Sequence, residues 1–318
     1  MKSLADYPLA LAAALAGVQP LGRSDIRPLE DCDRCSLAEI VVADRDLPPF
    51  NRSQMDGYAL RAADFQPNRP FPVIRSIAAG HQAGSEIPVN SCVAVATGAP
   101  IPPGLDTVIQ HEVSDRKNPV TFTLNDIRPG HAVHHRAADA RAGSPLLTPP
   151  LQLAPHHLAI AAAVGKTHLK LFTPPTVTML TSGDEVVPVE NIPRDHQIRN
   201  SNAALLRPLL RRFGADPIAH DHLVDDLNAT CAAVQSAIHS ADILITVGGV
   251  SAGDRDHFPS AFDKAGVTTI LRGANIQPGR PIFIGCAPGG CIVIGLPGNP
   301  VSALATSCLF AWPIIRAL

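Results

Sequence analysis

Proline is the residue that most restricts how this chain can fold. It occurs 31 times in the 318 residues, about twice its usual share of roughly 5%. Because proline fixes φ and has no backbone N–H, it interrupts helices and central strands. The chain is therefore predicted to form many short elements joined by ordered turns. Apolar residues make up 46% of it, which excludes a disordered chain and allows a buried core.

The charge balance excludes two classes of partner. The 26 basic and 28 acidic residues give a net charge of −2, so the chain has no general attraction to nucleic acid or to an anionic membrane. Seven cysteines, an odd number, indicate free thiols in a reducing compartment. Residues 281–315 carry no charge, but Gly/Pro turns interrupt them, so a strand, a loop and a buried helix are expected there. We therefore expect a cytoplasmic protein without a nucleic-acid or membrane partner.

The first half of the chain is predicted to contain one domain inserted into another. Helices are expected over residues 4–18 and 33–43, and residues 1–44 would join residues 141–172 as a helical and extended first domain. Residues 45–140 contain short β-rich runs between Gly/Pro turns, which is typical of a small antiparallel β domain. The four expected strands are 71–77, 91–96, 106–110 and 120–124.

Residues 173–318 alternate strands with helices, which predicts a doubly wound α/β domain. One of its helices is expected over 202–213, with Ser201 as its cap. Ligands of such sheets bind at the carboxyl ends of the strands. Three loops are predicted to lie at that edge: 182–185, 248–256 and 295–300.

The loop GGVSAGDRD is predicted to bind a phosphate. Gly248 and Gly249 allow backbone N–H groups to approach an anion, Ser251 adds a hydroxyl donor, and a helix begins just beyond. Asp254 and Asp256 would then lie beside the phosphate, which is unfavourable unless a divalent cation lies between them. With Asp184 and Glu185 this composition favours a magnesium site. The alternative is an ordinary glycine-rich turn with solvated acids.

The loop GLPGNP has the features of a rigid helix start. Gly298 permits a tight turn, Asn299 is expected to cap the last helix, and Pro300 occupies its first position. An uncharged helix N-terminus of this kind suits an anion or a polar ring. A plain helix start remains the alternative.

Five motifs in this order resemble the molybdopterin molybdenumtransferase family, which includes the E domain of gephyrin. The motifs are SQMDGYAL (53–60), ATGAPIPPGLDTVIQHE (96–112), TSGDE (181–185), GGVSAGDRD (248–256) and GLPGNPVSA (295–303). The family inserts molybdate into adenylylated molybdopterin. The resemblance implies a homodimer with a helical first domain that serves dimerisation, an inserted β domain, a molybdopterin-binding α/β domain and a C-terminal β-barrel, which this sequence lacks.

The resemblance also implies which residues act. The expected catalytic residues are Asp56, Thr97, Asp139, Glu185, Asp225 and Arg280. The expected cofactor-binding residues are Gly248, Gly249, Ser251, Pro297, Gly298, Asn299 and Pro300. The expected magnesium ligands are Glu185, Asp225 and Asp256. In the family, the domain that contains Asp56 and Thr97 faces the α/β domain of the other subunit.

Departures from the family pattern bear on activity. Gly273 and Gln277 occupy the positions of two family lysines, with Arg272 and Arg280 nearby. Arginine can hold an oxyanion through two N–H groups, but it does not replace lysine freely. In addition, the Gly-Glu pair that precedes the aspartate of the Asp139 segment is replaced by two alanines.

The expected function is magnesium-dependent insertion of molybdate into adenylylated molybdopterin with release of AMP. Molybdopterin adenylyltransferase is the expected upstream partner and a molybdoenzyme a recipient. Two alternatives stay open: a catalytically impaired paralogue that binds or delivers molybdopterin, and a pyrophosphate-cleaving hydrolase. Cys32 and Cys35 are interpreted as ordinary thiols, and His131, His134 and His135 as part of a solvated turn.

Overall fold

A computed structural model describes residues 4–249 and 256–318 of the protein. Contacts group the chain into two units, one formed by residues up to Ser24 together with those from Phe172 onward, and the other by Asp25–Leu171. These are called the α/β unit and the β unit below. The predicted division into three domains stays a prediction.

The first helix, α1 (Tyr7–Leu15), belongs to the α/β unit. Its N-cap residue is Asp6, whose side chain does not cap the helix. Instead, Asp6 Oδ1 accepts a hydrogen bond from Asn275 Nδ2 at 2.7 Å.

The β unit consists of short strands and one helix. Its strands are β1 (Ser24–Pro28), β2 (Ser36–Leu37), β3 (Val41–Val42), β4 (Arg52–Ser53), β5 (Gly57–Leu60), β6 (Val73–Ile77), β7 (Cys92–Val95), β8 (Thr107–Gln110), β9 (Val133–His134), β10 (Pro145–Leu147), β11 (Leu151–Gln152) and β12 (His168–Phe172). Its helix is α2 (Pro155–Ala163). Two four-stranded sheets have the orders β1-β12-β2-β11 and β6-β7-β5-β8, and β10-β3 and β4-β9 form two-stranded sheets.

The helix predicted over residues 33–43 is wrong, since β2 and β3 occupy that segment. Leu37 and Val41 are four residues apart and both fully buried, a spacing that imitates the inner face of a helix. They are buried because Leu37 pairs with Leu151 and Leu171 in a sheet. Long-range pairing has therefore overridden the local pattern.

The α/β unit is built around a six-stranded sheet. Its further elements are β13 (Val177–Ser182), β14 (Val186–Val187), β15 (Ile198–Arg199), α3 (Ser201–Phe213), β16 (Ile218–Leu223), α4 (Leu227–Ser240), β17 (Ile243–Val247), α5 (His257–Lys264), β18 (Thr268–Arg272), β19 (Phe283–Cys286), β20 (Ile292–Leu296), α6 (Pro300–Thr306) and α7 (Trp312–Ala317). The order of the sheet is β16-β13-β17-β20-β19-β18. The first four strands are parallel, and β19 is antiparallel to both of its neighbours. The predicted doubly wound α/β fold is confirmed, although the pattern missed β16 and β19.

Both faces of this sheet are buried. Ile245 and Ile294 pack in one apolar cluster, which includes α1, α3 and the last helix. Leu244 and Val293, their neighbours along β17 and β20, pack in another cluster with α4 and α5. This alternation is that of a strand covered on both sides. It brings the carboxyl ends of the parallel strands to one edge, where ligands of such sheets bind.

The chain ends in a helical run over Pro300–Ala317 that is long and apolar enough to cross a membrane by length and composition. Phe310 and Ile314 are nevertheless fully buried in the core of the α/β unit, as expected for a buried helix. A wide π-helical turn over Ser307–Ala311 separates α6 from α7. Pro313 has no N–H to donate to the Leu309 carbonyl, and Tyr7 Oη donates to that oxygen at 3.3 Å.

Candidate functional site

A cavity of about 450 Å³ lies at the carboxyl-end edge of the sheet in the α/β unit. The ends of β13 and β17 and the N-terminal ends of α3, α5 and α6 surround it. The residues predicted from the sequence that line it are Glu185, Asp225, Asp256, Gly248, Gly249, Pro297, Gly298 and Pro300. Ser251 was also predicted for this place but lies outside the described residues.

Two aspartates join the loops that follow β13 and β16. The Asp225 N–H donates to Asp184 Oδ1 at 3.1 Å, and the Asp184 N–H donates to Asp225 Oδ2 at 3.4 Å. This reciprocal pair holds the Asp225 carboxylate at the cavity, which Glu185 also lines.

Within residues 4–249 and 256–318, no group of three or more His, Cys, Asp or Glu side chains is close enough to hold an ion. Mg²⁺ is commonly held by one or two carboxylates, with water and substrate phosphate as its other ligands, and Glu185, Asp225 and Asp256 of the cavity lining are carboxylates of that kind. The predicted trio of Glu185, Asp225 and Asp256 stays a prediction.

The N-terminus of α3 is capped by Asn200, and not by Ser201 as predicted. Asn200 Oδ1 accepts from the Ala203 N–H at 3.1 Å, and its Nδ2 donates to Thr181 Oγ1 at 3.0 Å. Ser201 is instead the first helical residue and an exposed lining residue of the cavity. Because Asn200 is buried and bonded on both sides of its amide, it fixes the start of α3 relative to β13.

The predicted cap of α6 is confirmed. Asn299 Oδ1 accepts from the N–H groups of Val301 at 3.0 Å and Ser302 at 3.2 Å. Asn202 Nδ2 donates to the Gly298 carbonyl at 2.8 Å and so joins the start of α3 to the loop before α6. The two helix N-termini thus lie against one cavity, and their partial positive charges favour an anion there.

Histidines that the sequence interpretation overlooked lie beneath the cavity. Thr181 Oγ1 contacts His220 Nε2 at 3.1 Å and His222 Nδ1 at 2.9 Å, in addition to the bond from Asn200. A hydroxyl has one proton and two lone pairs, so these partners leave it no spare capacity. Burial, aided by nearby Arg207 and His222, lowers the pKa of His220. The spacing of His220 and His222 was the available sequence signal, because residues two apart in a strand lie on the same face.

Arg199 is a basic residue that lines the cavity and that the sequence interpretation did not single out. Its Nε donates to the Asn191 carbonyl at 3.1 Å. Arg280 is exposed and immediately precedes Pro281, a lining residue, so its catalytic role stays a prediction. At the first lysine position of the family, Gly273 has a φ of +80°. A lysine would be strained in that left-handed backbone.

In the β unit, Asp56 and Thr97, two of the predicted catalytic residues, contact each other. Asp56 Oδ1 accepts from the Thr97 N–H at 2.6 Å and from Thr97 Oγ1 at 3.0 Å. These bonds favour the charged form and lower the pKa of Asp56. The next residue, Gly57, leaves no room for a side chain, because a Cβ there would collide with the Ile109 carbonyl of β8.

Asp139 is held by a histidine that was interpreted as part of a solvated turn. His134 lies in β9, which pairs with β4, and its Nε2 contacts Asp139 Oδ1 at 3.0 Å. The turn interpretation is therefore wrong for His134. By contrast, burial raises the pKa of both Cys32 and Cys35, which fits the ordinary thiols that were expected.

Comparison with known proteins gives matches along nearly the whole chain. Residues 6–165 match a family profile described as "MoeA N-terminal region (domain I and II)". Residues 178–317 match one described as "Probable molybdopterin binding domain". A crystal structure of the molybdopterin biosynthesis MoeA protein from Pyrococcus horikoshii is similar, with a TM-score of 0.84, 27% identity, and coverage of 99% of this chain and 79% of that one.

Three similar curated proteins share the same name. The molybdopterin molybdenumtransferase of Synechococcus elongatus is 35% identical over 98% of this chain and 80% of its own length. The protein of that name from Nostoc sp. is 34% identical over 89% of this chain and 66% of its own length. The one from Bacillus subtilis is 32% identical over 94% and 71%. The chain thus spans about two thirds to four fifths of the length of these relatives.

Proposed function

The chain belongs to the molybdopterin molybdenumtransferase family of molybdenum cofactor biosynthesis, and on that basis we propose that it inserts molybdate into adenylylated molybdopterin and releases AMP, with magnesium bound. The observation that supports this most is the cavity at the sheet edge, which combines helix N-termini with carboxylates. A substrate with a pyrophosphate and a polar pterin ring needs both kinds of group.

The helix N-termini and the glycine turn hold the phosphates in this proposal. Backbone N–H groups at the start of α3 and at Gly249 would donate to the phosphate oxygens, while α6 contributes the partial positive charge of its N-terminus, since Asn299 takes its first N–H groups. Arg199 adds a charged donor that is already anchored through Asn191. Pro297 and Pro300 line the cavity and would bound the pterin side.

One or two of the lining carboxylates Glu185, Asp225 and Asp256 would hold the magnesium ion, together with water and the substrate phosphates. The ion, when bound, neutralises the negative charge of the pyrophosphate. Asp225 enters this role with its carboxylate already fixed by the Asp184 N–H. Asp56, Thr97 and Asp139 of the β unit are proposed to act in the same reaction, and Arg280 to hold the oxyanion of molybdate.

A second candidate is a paralogue that binds or delivers molybdopterin without turnover. The backbone at Gly273, whose positive φ disfavours the lysine of the family, supports it. For either candidate we propose a cytoplasmic homodimer that receives its ligand from molybdopterin adenylyltransferase and passes it to a molybdoenzyme.

Single-turnover AMP release separates the candidates. The full chain is mixed with adenylylated molybdopterin and magnesium, with and without molybdate, and AMP and the pterin product are quantified. Release that depends on molybdate is expected. Tight binding without release would favour the paralogue, and release that ignores molybdate would favour a pyrophosphate hydrolase.

The acidic cluster has a matched test in the same assay. Glu185→Gln removes a carboxylate from the cavity, so we expect AMP release to fall on the order of a hundredfold and to require more magnesium. Glu190→Gln, at an exposed residue of the same unit, is expected to leave the rate unchanged. Equal rates in the two variants would contradict a role for Glu185.

A further inference from the structure

Three polar side chains form a row across the small sheet of β4 and β9. Arg52 and His134 are directly paired residues of the two antiparallel strands. Arg52 Nη2 contacts His134 Nδ1 at 3.2 Å, and His134 Nε2 contacts Asp139 Oδ1 at 3.0 Å. The imidazole therefore lies between a guanidinium and a carboxylate.

The chemistry of the two outer groups fixes the proton of the inner one. A guanidinium has N–H donors and no acceptor, so His134 Nδ1 must offer its lone pair to Arg52. The ring proton then lies on Nε2, from which it is donated to the carboxylate of Asp139. The opposite tautomer would place two N–H groups against each other on one side and two lone pairs on the other.

We propose that Arg52 and His134 are positioning residues for Asp139: Arg52 sets the tautomer of His134, and His134 holds the Asp139 carboxylate in the orientation that the reaction uses. This inference rests on the proposed function for the catalytic role of Asp139. The side chain of Asp139 is 57% exposed, so without a directional partner it would sample several rotamers. A simple surface ion pair would not restrict it in this way.

Backbone hydrogen bonds hold the segments that carry these three side chains in place. The Asp139 N–H donates to the Leu47 carbonyl at 2.9 Å, and the Ala137 N–H donates to the Pro48 carbonyl at 3.0 Å. On the opposite side of β4, the Gly98 N–H donates to the Ser53 carbonyl at 2.8 Å.

Thr97, which immediately precedes Gly98, bonds to Asp56. The strand β4 thus connects the Asp56–Thr97 pair to the row that ends at Asp139. All three predicted catalytic residues of the β unit depend on this one strand for their placement.

Nitrogen-15 NMR of histidine-labelled protein reads the tautomer directly, without any need for activity. At pH 7.5 we expect His134, assigned by its loss in His134→Gln, to show a protonated-type Nε2 and an unprotonated-type Nδ1. Because the Asp139 carboxylate also accepts the Nε2 proton, the contribution of Arg52 is read in the Asp139→Ala background. Arg52 should keep the proton on Nε2 in Asp139→Ala, whereas Arg52→Met/Asp139→Ala should give a mixture of tautomers. Arg45→Met/Asp139→Ala, at an exposed arginine seven residues before Arg52, should match Asp139→Ala. A proton on Nδ1 in the wild type, or the same tautomer with and without Arg52 in the Asp139→Ala background, would overturn the proposal.

Steady-state kinetics test the effect on Asp139. His134→Leu is expected to lower kcat about tenfold or more with little change in KM, because a misdirected group costs rate rather than binding. His134→Gln can still accept from Arg52 through Oε1 and donate to Asp139 through Nε2, so it should recover most of the rate. Equal rates for the leucine and glutamine variants, with both folded by circular dichroism, would contradict positioning.

The NMR and the kinetic experiments together distinguish a failure of this inference from a failure of the proposed function. If the wild type forms no product, the proposed function fails, and the NMR result alone decides whether Arg52 directs His134 toward Asp139. If product forms but the tautomer is opposite to the expected one, the proposed function stands and the positioning inference fails.

Discussion

The two groups of predicted functional residues are held in place by different means. In the α/β unit, the cavity is bounded by the ends of parallel strands and by helix N-termini, so the backbone sets most of its shape. In the β unit, Asp56 and Asp139 are on or beside strands of two to four residues and are oriented by side-chain hydrogen bonds. Backbone donors survive most substitutions, whereas side-chain networks fail when a single member is removed.

This difference suggests a division of roles, with anion binding in the α/β unit and carboxylate orientation in the β unit. The sheet edge of the α/β unit supplies an anion site that any residue with suitable backbone angles maintains. The β unit supplies carboxylates whose direction depends on particular partners, Thr97 for Asp56 and His134 for Asp139. Substitutions in the β unit should therefore affect rate more than affinity.

The largest expected effect is a loss of stability that is confined to the β unit. Gly57→Ala puts a Cβ against the Ile109 carbonyl between β5 and β8, which should cost about 3 kcal/mol through forced separation of the strands. Hydrogen exchange should accelerate in peptides that cover β5 and β8 and stay unchanged around the cavity. Gly289→Ala, where a Cβ meets nothing within 4 Å, is the matched control.

A smaller effect is expected at the start of α3. Asn200→Ala removes the cap and the donor to Thr181, which should lower the free energy of unfolding by about 1–2 kcal/mol. Ser201→Ala should change it by less than about 0.5 kcal/mol, since Ser201 does not cap the helix. Chemical denaturation of both variants checks the assignment, and the reverse order of effects would return the cap to Ser201.

The smallest expected effect is on the stability of the protein at acidic pH. Because burial lowers the pKa of His220, the unfolded chain binds this proton more readily than the folded one. Stability from His220 is therefore present above the ordinary pKa of about 6.5 and is lost as the pH falls below it. His220→Gln, which can still bond to Thr181, should lose less stability between pH 7 and pH 5.

His196→Gln, at an exposed histidine of the same unit, is the control for this titration. Thermal unfolding across that pH range measures both variants. A steeper loss in His220→Gln than in the wild type would contradict the direction. The groups that face His220 in this titration are Arg207, His222 and Asp221.

What the sequence revealed about the α/β unit was mostly local. Asn299 followed by proline at a loop end identifies a cap through its own residue types, and the structure confirms it. Glycine pairs after apolar runs likewise placed Gly248 and Gly249 at the cavity. Such features need only neighbouring residues, so pattern rules recover them.

What the sequence did not reveal depends on distant partners. Arg52 and His134 are 82 residues apart, and neither has a local pattern that indicates pairing. Ile218–Leu223 is the last strand at one edge of the sheet and contains the polar run His220–His222, so it did not match the apolar runs of the inner strands. The resemblance to the family identified Asp139 from the sequence, whereas its contact with His134 is visible only in the structure.

The bond between Tyr7 and Leu309 joins residues that are 302 positions apart. During translation at roughly 5–20 residues per second, Tyr7 is incorporated about 15 to 60 s before its acceptor, Leu309. The strands of the β unit, all encoded between these two residues, can meanwhile pair among themselves. The apolar face of α1, with Ala10 and Ala14, has to wait for the last helix, and a nascent chain halted before residue 300 should therefore engage chaperones through its first 15 residues.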